Sequence, residues 1–442
     1  MTKIAMIGAG SVVFVKNLLT DILSLPELQS CAIALHDIDA ERLDTAGRMA
    51  RWTAAQFGAP CTITEHADRR ACVEDADFVI NMVQIGMHEA TLLDFTIPTK
   101  YGLKQTIGDT VGVGGIFRGL RTIPFMLDLV ADMQAVCPNA LLMNYTNPMS
   151  ILTWAVYQAF PQQRVVGLCH NVQFTAEDLA EYLKVDLARL SYDCAGINHM
   201  TWFLRLMIDG QDAYPKLFEA AEDPEIFAKD KIRFELMRHL GRFVSESSEH
   251  TAEYTPYFLR RDDQIAAYDV PVDEYIRRSE RNLRRYAETR RKLLAGESFP
   301  LERSAEYGSV IIHAMVTGQT ALIYGNVRND RLIENLPEGC CVEVPVVVDR
   351  NGLRPVHVGN LPPELAAHCA PHVFVQHLTV RAALEGDRAS VHRAAVLDRH
   401  AASVLSLSEI QAMTEELIQA HGPAMPLGIR RRNTIGALHA AN

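Results

Sequence analysis

The sequence predicts an α/β protein, with a doubly wound parallel sheet in residues 1–195 and a second, α+β domain in residues 196–442. Three observations lead to this class. Short apolar runs alternate with segments of helical spacing through the first half, a glycine-rich turn follows the first apolar run, and the alternation weakens after Ile197. Because no proline-rich or serine-rich linker separates the halves, we expect them to share a broad interface.

The first half contains seven segments that we predict to be strands. They are KIAMIG (3–8), CAIALHD (31–37), CTITEH (61–66), DFVINMV (77–83), ALLMNYT (140–146), RVVGLC (164–169) and a segment around 190–197. Helical spacing predicts helices over 14–25 and 40–57, within 116–133, and after Pro148. Strands that alternate with helices are typical of a parallel sheet covered on both faces, which is a Rossmann-like arrangement.

The second half combines long charged helical segments with strand-like ones. Residues 224–248 and 272–294 have the composition and spacing of helices. The segments 313–329 and 340–352 are rich in β-branched and turn residues, which predicts antiparallel strands. Residues 361–417 are predicted to be mostly helical.

Charge, hydropathy and cysteine usage exclude several classes of protein. The chain has 43 Lys and Arg against 54 Asp and Glu, a net charge of −11, which argues against nucleic-acid partners because these require a basic surface. No apolar stretch reaches the roughly 18 residues of a membrane span, and residues 1–19 lack the features of a signal peptide. Nine scattered cysteines without a CxxC pair predict a reducing compartment, the cytoplasm.

The first turn, Gly8-Ala9-Gly10-Ser11, stands where a doubly wound fold binds the pyrophosphate of a dinucleotide. Val13 replaces the third glycine of the usual GxGxxG pattern, so a plain structural turn is the alternative. Asp37, which ends the second predicted strand, can accept hydrogen bonds from a ribose 2′-hydroxyl and would repel a 2′-phosphate. We therefore predict NAD rather than NADP at Gly8, Gly10, Ser11 and Asp37.

Two further segments are candidates for ligand binding. Residues 108–122, GDTVGVGGIFRGLRT, are glycine-dense and lead into a helix, so their amides can hold an anion, with a mobile loop as the alternative. NYTNP (144–148) ends a predicted strand at the edge where open α/β sheets bind ligands, although an Asn-Pro turn can also be structural.

Cysteine and histidine follow two of the predicted strands. Cys169 and His170 come after one strand and His199 after the next, so we expect all three at the same carboxyl edge of the sheet. Thiolate and imidazole ligands favour a transition metal, whereas packed or hydrogen-bonded side chains are the alternative. Residues 250–257 are rich in groups that transfer protons, and a surface helix end is the alternative there.

Taken together, these segments resemble glycoside hydrolase family 4, and the resemblance extends over nearly the whole chain. The segments that carry it are GAGS (8–11), GDTVGVGGIFRGLRT (108–122), NYTNP (144–148), GLCHNVQ (167–173), AGINHMTWF (195–203) and AEYTPYF (252–258). Two C-terminal segments, GNLPPELAA (359–367) and AVLDRHAASVLSL (395–407), are most similar to the α-galactosidase branch of that family.

The resemblance implies a glycosidase that uses redox chemistry without net oxidation. Tightly held NAD+ takes a hydride from C3 of the sugar, and the resulting ketone acidifies the C2–H bond. A base then removes the C2 proton and the glycosidic oxygen is expelled. Water adds at C1, C2 is reprotonated, and NADH returns the hydride.

The resemblance also implies roles for individual residues. Cys169 and His199 match the metal ligands, and the cation, Mn2+ or another divalent transition metal, polarises the C2 and C3 oxygens. Tyr254 matches the tyrosine proposed as the C2 base, with Tyr257 as the fallback. A phenol with an ordinary pKa near 10 needs a nearby cation or hydrogen bonds to ionise.

The general acid and the sugar contacts follow from the same comparison. His170, directly after the metal cysteine, is the implied general acid, and Asp109 is a competing candidate. Asn147 and His170 are the implied contacts to the substrate, with Asn147 bonding sugar hydroxyls beside the nicotinamide.

One residue departs from the pattern of the branch. The α-galactosidases usually have serine after Cys-His, whereas this chain has Asn171, giving CHNV. The resemblance to this branch makes unphosphorylated α-galactosides the expected substrates. Because this tetrad tracks substrate choice in the family, the change to CHNV leaves two alternatives, α-glucosides and α-uronides (glucuronides or galacturonides).

Two other classes of function remain open from the sequence. NYTNP at a strand end is reminiscent of NAD-dependent 2-hydroxy acid dehydrogenases, although those enzymes use a His/Asp relay and a carboxylate-binding Arg. A sugar or nucleotide sensor on the same fold would bind NAD without turnover. By resemblance we expect a homodimer or homotetramer, with a small-molecule sugar as the other partner.

Overall fold

The computed structural model describes residues 1–304 and 306–431, and the strands in this part of the chain form one continuous sheet. The strands are β1 (Lys3–Ile7), β2 (Ala32–His36), β3 (Thr62–His66), β4 (Phe78–Asn81), β5 (Leu141–Asn144), β6 (Val165–Gly167), β7 (Leu190–Ile197), β8 (Met200–Ile208), β9 (Gln211–Asp212), β10 (Ala321–Arg328), β11 (Cys341–Asp349) and β12 (Gly352–Pro355).

Helices cover the sheet and build the rest of the molecule. The helices that lie before β10 are α1 (Val12–Leu23), α2 (Ala40–Phe57), α3 (Arg69–Val73), α4 (Met87–Lys100), α5 (Gly112–Val136), α6 (Met149–Ala159), α7 (Asn171–Tyr182), α8 (Tyr214–Ala220), α9 (Pro224–Lys229), α10 (Lys231–Leu240), α11 (Ser248–Tyr254), α12 (Asp262–Ala267), α13 (Glu274–Leu294) and α14 (Tyr307–Thr317). Those that follow are α15 (Pro363–Glu385), α16 (Arg388–Leu397), α17 (Arg399–Val404), α18 (Leu407–His421) and α19 (Leu427–Arg430). Short 3-10 helices occupy Pro26–Leu28, Leu187–Arg189 and Gly422–Ala424.

Six parallel strands form the first part of the sheet, in the order β3-β2-β1-β4-β5-β6. The chain winds outward from β1 in one direction and, from β4, in the other, so a crevice opens at the carboxyl ends of β1 and β4. β1 and β4 are almost entirely buried, since helices cover both faces. The prediction of an α/β fold with a doubly wound parallel sheet is confirmed.

Local sequence explains the bounds of these elements. α2 begins after Asp39, whose carboxylate accepts hydrogen bonds from the backbone N–H groups of Glu41 and Arg42. It ends at Gly58, which has a φ of +59°, a conformation that glycine adopts without a Cβ clash. The observed helix has the bounds that the sequence predicted, 40–57.

The sheet continues beyond β6 with antiparallel strands from the second half of the chain. Asn326 of β10 pairs with Gly167 of β6, Glu343 of β11 pairs with Asn326, and Gly196 of β7 pairs with Glu343. The sheet therefore passes without interruption across the predicted domain boundary at residues 195 and 196. The division into two domains stays a prediction.

Three elements differ from the sequence-based expectation. The strand at 190–197 exists but is antiparallel to both of its neighbours: to β8, because the chain turns straight back in a hairpin, and to β11 on its other side. Residues 224–248 form two short helices, α9 and α10, and not one long helix, since Asp230 and Gly241 leave the helical conformation. Residues 313–317 belong to helix α14, which ends at Gly318 with a φ of +84°, so the strand begins only at Ala321.

Among the described residues, none of the helices combines the length and the apolar character that a membrane span requires.

Candidate active site

A cavity of about 340 Å³ opens at the carboxyl edge of the parallel strands. Loops after three of the parallel strands contribute to its lining: Ser11 after β1, Asn147 after β5, and Cys169 and His170 after β6. His199, from the β7–β8 hairpin, completes this part of the wall. The cavity thus lies where an open α/β sheet places its ligands.

The glycine turn after β1 is fixed by its neighbours. Gly8 has a φ of +84°, and a Cβ there would lie 2.8 Å from Cγ2 of Val83. A Cβ on Gly10 would lie 2.5 Å from a carboxylate oxygen of Asp37, which accepts a hydrogen bond from the Gly10 N–H at 2.7 Å. The turn therefore requires glycine at both positions, and the carboxylate of Asp37 lies directly beside it.

Three potential metal ligands converge at the cavity wall. The Sγ atom of Cys169 lies 3.3 Å from Nε2 of His199, and the same Nε2 lies 3.6 Å from a carboxylate oxygen of Glu246. One ligand atom from each of the three residues lies within 4.8 Å of the others. A thiolate, an imidazole and a carboxylate fit a divalent transition metal.

The backbone at two of these residues is strained. His199 has a φ of +61° in the two-residue turn between β7 and β8, and Glu246 has a φ of +75°. Residues with side chains rarely adopt these conformations, and such strain concentrates at functional sites. Tertiary structure holds the imidazole and the carboxylate in place at a cost in backbone energy.

The electrostatics of the cluster also favour a cation. Burial raises the pKa of the Cys169 thiol well above its ordinary value, and the nearby carboxylate of Glu246 adds to the effect. Burial also acts to raise the pKa of Glu246, but the imidazoles of His199 and His250 outweigh it, so the pKa of Glu246 is lowered. A metal ion among these groups would offset the negative charge and stabilise the thiolate.

Asp109 and Asn147 form a second polar group on the cavity wall. Asp109 accepts hydrogen bonds from the Asn147 amide at 3.1 Å and from the Thr110 hydroxyl at 2.7 Å, and the guanidinium of Arg118 lies 4.0 Å away. Burial works to raise the pKa of Asp109, but the positive charge of Arg118 prevails and the pKa is lowered. Among the described residues, nothing donates to the buried amide oxygen of Asn147, which remains available to a ligand.

His170 lies on the cavity wall next to Cys169 in the chain but points to a different partner. Its Nδ1 atom lies 3.3 Å from a carboxylate oxygen of Glu306, which is itself largely buried. Burial disfavours the protonated imidazole, but this carboxylate outweighs it and raises the pKa of His170. The arrangement gives the imidazole a fixed orientation.

Glu253 fixes the loop that carries Asp109. Its carboxylate accepts hydrogen bonds from three consecutive backbone N–H groups, those of Thr106, Ile107 and Gly108, at distances from 2.7 to 3.1 Å. Burial raises the pKa of Glu253 to about 7, although the amides of Gly108 and Thr106 oppose the shift. The start of the glycine-dense segment is therefore an ordered loop tied to α11.

The two predicted tyrosine bases lie outside the cavity lining. Tyr254 is fully buried and donates its hydroxyl to the backbone oxygen of Asn198 at 2.9 Å, one residue before His199. Burial and the nearby carboxylate of Asp109 raise its pKa well above the ordinary value. Tyr257 is half exposed. Tyr145 and Tyr275 line the cavity instead, and Arg118 donates to the hydroxyl of Tyr275 at 2.8 Å.

Asn171, the residue that departs from the family pattern, lies behind the cavity wall. It is 1% exposed, and its amide donates to Glu343 at 2.8 Å and to Ser245 at 3.0 Å. Glu343 also accepts hydrogen bonds from Thr201 and Asn326, so a buried polar network surrounds this carboxylate. In this structure Asn171 supports the wall from within and does not line the cavity.

Sequence reasoning missed several residues of the cavity. Glu246, Tyr275, Arg278 and Glu306 line it but were not singled out. Glu246 stands four residues before His250, close to the segment noted for proton-transfer groups, which was the available clue. The other three come from α13 and from the approach to α14, and only the fold brings these segments to the cavity.

Cys169 and His199 lie together at the cavity wall, but not because both follow parallel strands, which was the reason for expecting them at one edge. β7 runs opposite to β6, so His199 reaches the cavity on a hairpin and not from a carboxyl end in a parallel sheet.

The structure combines a doubly wound sheet, a glycine turn beside an acidic residue, and a cluster of thiol, imidazole and carboxylate groups at the same edge. This combination is typical of dinucleotide-binding enzymes with a metal centre. Comparison with known proteins then defines the family. The model described as family 4 glycosyl hydrolase matches residues 3–185, and the model of the C-terminal domain of that family matches residues 194–401. The chain belongs to the family 4 glycosyl hydrolases, as the sequence motifs predicted.

Individual relatives agree with this assignment. The chain is 41% identical to an alpha-galactosidase of Bacillus subtilis (strain 168), over 96% of this chain and 99% of the relative. It is 36% identical to an alpha-galactosidase of Rhizobium meliloti (strain 1021), over 96% of this chain and 89% of the relative. The crystal structure of a 6-phospho-alpha-glucosidase from gut microorganisms, in complex with NAD and Mn2+, shares the fold with a TM-score of 0.81 at 21% identity, over 96% of this chain and 99% of that one.

Proposed function

We propose that this protein hydrolyses unphosphorylated α-galactosides by the redox-assisted elimination of its family, with NAD+ and Mn2+ or another divalent transition metal. One observation carries the proposal: Ser11 of the glycine turn and the cluster of Cys169, His199 and Glu246 line the same cavity. A dinucleotide and a metal ion bound there would both reach one sugar ring. The two relatives named alpha-galactosidase support the choice of sugar.

The residues that would hold each cofactor are distinct. Gly8, Gly10 and Ser11 would bind the pyrophosphate, and Asp37 the ribose hydroxyls. Cys169, His199 and Glu246 would hold the metal. When bound, NAD+ supplies a reversible hydride acceptor, and the cation supplies a Lewis acid for the sugar oxygens.

His170 suits the role of general acid better than Asp109. Glu306 engages Nδ1 of His170, so Nε2 is the nitrogen available to donate a proton to the leaving oxygen. The carboxylate of Asp109 is held ionised by Arg118 and accepts hydrogen bonds at both oxygens, so it carries no proton to give. Asp109 instead orients Asn147, whose free amide oxygen can accept a hydrogen bond from a sugar hydroxyl.

Tyr254 is the proposed C2 base. Its ring centroid lies 6.5 Å from that of His199, so a cation at the metal cluster would act on the phenol at short range and favour the phenolate. To reach the sugar, the hydroxyl must exchange its hydrogen bond to the oxygen of Asn198 for one that faces the cavity.

The charges of the cavity favour a neutral sugar over an anionic one. Its lining holds the three carboxylates of Asp109, Glu246 and Glu306. Arg278 also lines it but pairs with Glu274 at 3.3 Å and with Glu249 at 3.6 Å. A sugar that carries a carboxylate or a phosphate would meet mostly like charge, which disfavours α-uronides and phosphorylated sugars.

We also propose a homodimer or homotetramer in the cytoplasm. Support for this compartment comes from the nine free cysteines and from Cys169, whose thiol must stay reduced to bind a metal.

A panel of nitrophenyl glycosides tests the substrate. We expect nitrophenol release from the α-galactoside, with much lower kcat/KM for the α-glucoside and the α-galacturonide. Hydrolysis confined to the galacturonide or the glucoside would keep the family chemistry and overturn the proposed sugar. Net NADH formation from 2-hydroxy acids without glycoside hydrolysis would instead indicate a dehydrogenase.

A further inference from the structure

We propose that Phe174 forms the aglycone platform of this enzyme, a surface that binds the ring of the leaving group beside the proposed general acid. The inference rests on the proposed function and deepens it, since it assigns the class of aglycone. Substrates with a flat or cyclic aglycone, a second sugar or an aryl group, are the class that this surface would select.

Phe174 is an exposed aromatic side chain that packs against a residue of the cavity lining. It is 45% exposed, so part of its ring is open to a ligand. Its ring centroid lies 4.4 Å from that of His170, which lines the cavity. The residues are four apart on α7 and its N-terminal boundary, so the helix holds the two rings on one face.

His170 is fixed between two groups. Glu306 binds its Nδ1 atom at 3.3 Å, and the ring of Phe174 packs against the imidazole. The second carboxylate oxygen of Glu306 is buried and has no hydrogen-bond partner among the described residues, so it can accept a hydrogen bond from a ligand. An apolar ring and an unpaired acceptor thus flank the same imidazole.

The position of these groups assigns them to the leaving-group side. The C2 and C3 oxygens of the sugar would lie at Cys169, His199 and Glu246. A proton donor must contact the glycosidic oxygen, so the aglycone begins at the imidazole of His170. Phe174 packs against this imidazole outside the cavity lining, where the aglycone would leave the cavity.

The chemistry of the surface defines what it binds. The ring of phenylalanine offers an apolar face and no hydrogen-bonding group. Stacking on such a face suits the C–H face of a sugar ring or an aryl group, whereas a single-atom leaving group gains nothing from it.

The variant Phe174→Ala tests the proposal with leaving groups of different size. For nitrophenyl α-galactoside and for a galactose-containing disaccharide, we expect kcat/KM to fall about tenfold, mainly through KM, as expected for the loss of one apolar ring contact. For α-galactosyl fluoride, whose leaving group is one atom, we expect kcat/KM to stay within about twofold of the wild type. Phe174→Tyr, which keeps the ring, should retain the wild-type kcat/KM for the two larger substrates.

Phe374→Ala is the matched control, because Phe374 is 53% exposed on α15 and does not line the cavity. Equal losses for all three substrates in Phe174→Ala, or no loss for the larger two, would overturn the platform. A loss in kcat that is much greater for the disaccharide than for the nitrophenyl galactoside would show that Phe174 acts only by orienting His170, and would overturn it too. A changed oligomeric state with a uniform loss would assign Phe174 to a subunit interface and overturn it as well. If the wild type releases neither fluoride nor nitrophenol, the proposed function itself fails, a result distinct from a failure of the variant series.

Discussion

The thiol of Cys169 and the imidazole Nε2 of His199 lie 3.3 Å apart, although 30 residues separate them in the chain. Cys169 follows a parallel strand, and His199 sits in a strained hairpin turn with a φ of +61°. The carboxylate of Glu246 lies 3.6 Å from the same nitrogen. The fold therefore presents three different donor types at one point of the cavity wall.

The first prediction concerns Glu246. Glu246→Gln should weaken Mn2+ binding by at least about tenfold, because it replaces an anionic oxygen donor with a neutral amide. Titration of the metal-free protein with Mn2+ measures this affinity, and NAD+ binding, followed by fluorescence, should be unchanged. Glu222→Gln, at an exposed glutamate, is the control. Equal Mn2+ affinity in Glu246→Gln and the wild type would remove Glu246 from the metal site.

The second prediction concerns the general acid. His170→Asn should lower kcat/KM about a hundredfold or more for a galactosyl disaccharide, whose leaving oxygen needs a proton. Release of fluoride from α-galactosyl fluoride should change far less, because that leaving group departs without one. Asp109→Asn serves as the comparison. If His170→Asn slows both substrates equally while Asp109→Asn discriminates between them, the acid is Asp109.

The third prediction concerns pH and Glu253. Burial raises the pKa of this carboxyl from 4.5 in the unfolded chain to about 7. Between these values the unfolded chain has lost a proton that the folded chain keeps, so stability falls as pH rises, by roughly 3 kcal/mol at most, and levels off above about 7.

Glu253→Gln should flatten this dependence, since an amide does not titrate. Chemical unfolding of the wild type and the variant at pH 5.5 and pH 8 measures it. A difference between the two proteins that is the same at both pH values would show that Glu253 titrates normally.

The fourth prediction concerns the C2 base. In deuterated water, Tyr254→Phe should abolish exchange of the C2 hydrogen of the sugar while the chain still binds NAD+ and Mn2+. Tyr257→Phe should leave the exchange intact. Exchange that persists in Tyr254→Phe but disappears in Tyr275→Phe would transfer the role to the tyrosine that lines the cavity and accepts from Arg118.

The fifth prediction concerns Asn171. Since its side chain is buried against Glu343 and Ser245, Asn171→Ser should keep the order of preference among α-glycosides. It should lower stability by roughly 2 kcal/mol, because the hydrogen bonds to the buried Glu343 carboxylate and to Ser245 are lost. Thermal unfolding and the substrate panel measure the two effects. A switch of preferred sugar would mean that the buried network controls the substrate directly.

The strands and helices of the parallel half could be predicted because each carries local information. Apolar runs, helical spacing and the capping pair Asp39 and Gly58 determine β1 to β6 and α2 from neighbouring residues. The same local information assigned residues 313–317 to a strand, because valine and methionine in a buried helix resemble a strand in composition. Tertiary packing, which composition does not reveal, places these residues in a helix and not in a strand.

The candidate site could be predicted only where a residue stands in a recognisable segment. Cys169, His170 and Asn147 lie within three residues of the ends of β6 and β5, and His199 lies in one of the segments that carry the resemblance to the family. Glu306 and Arg278 carry no local mark, because they reach the cavity from distant helices. Their contribution depends on the antiparallel extension of the sheet and on α13, neither of which periodicity can position.

The cofactor dependence of α-galactoside hydrolysis tests the proposed redox-assisted mechanism most directly. The protein would be chelated and dialysed under reducing conditions, and nitrophenol release would be followed with NAD+ and Mn2+ supplied together and singly, while absorbance reports NADH. We expect release only when both are present, with no net NADH. Release with neither, after bound NAD and metal have been shown to be absent, would contradict the mechanism.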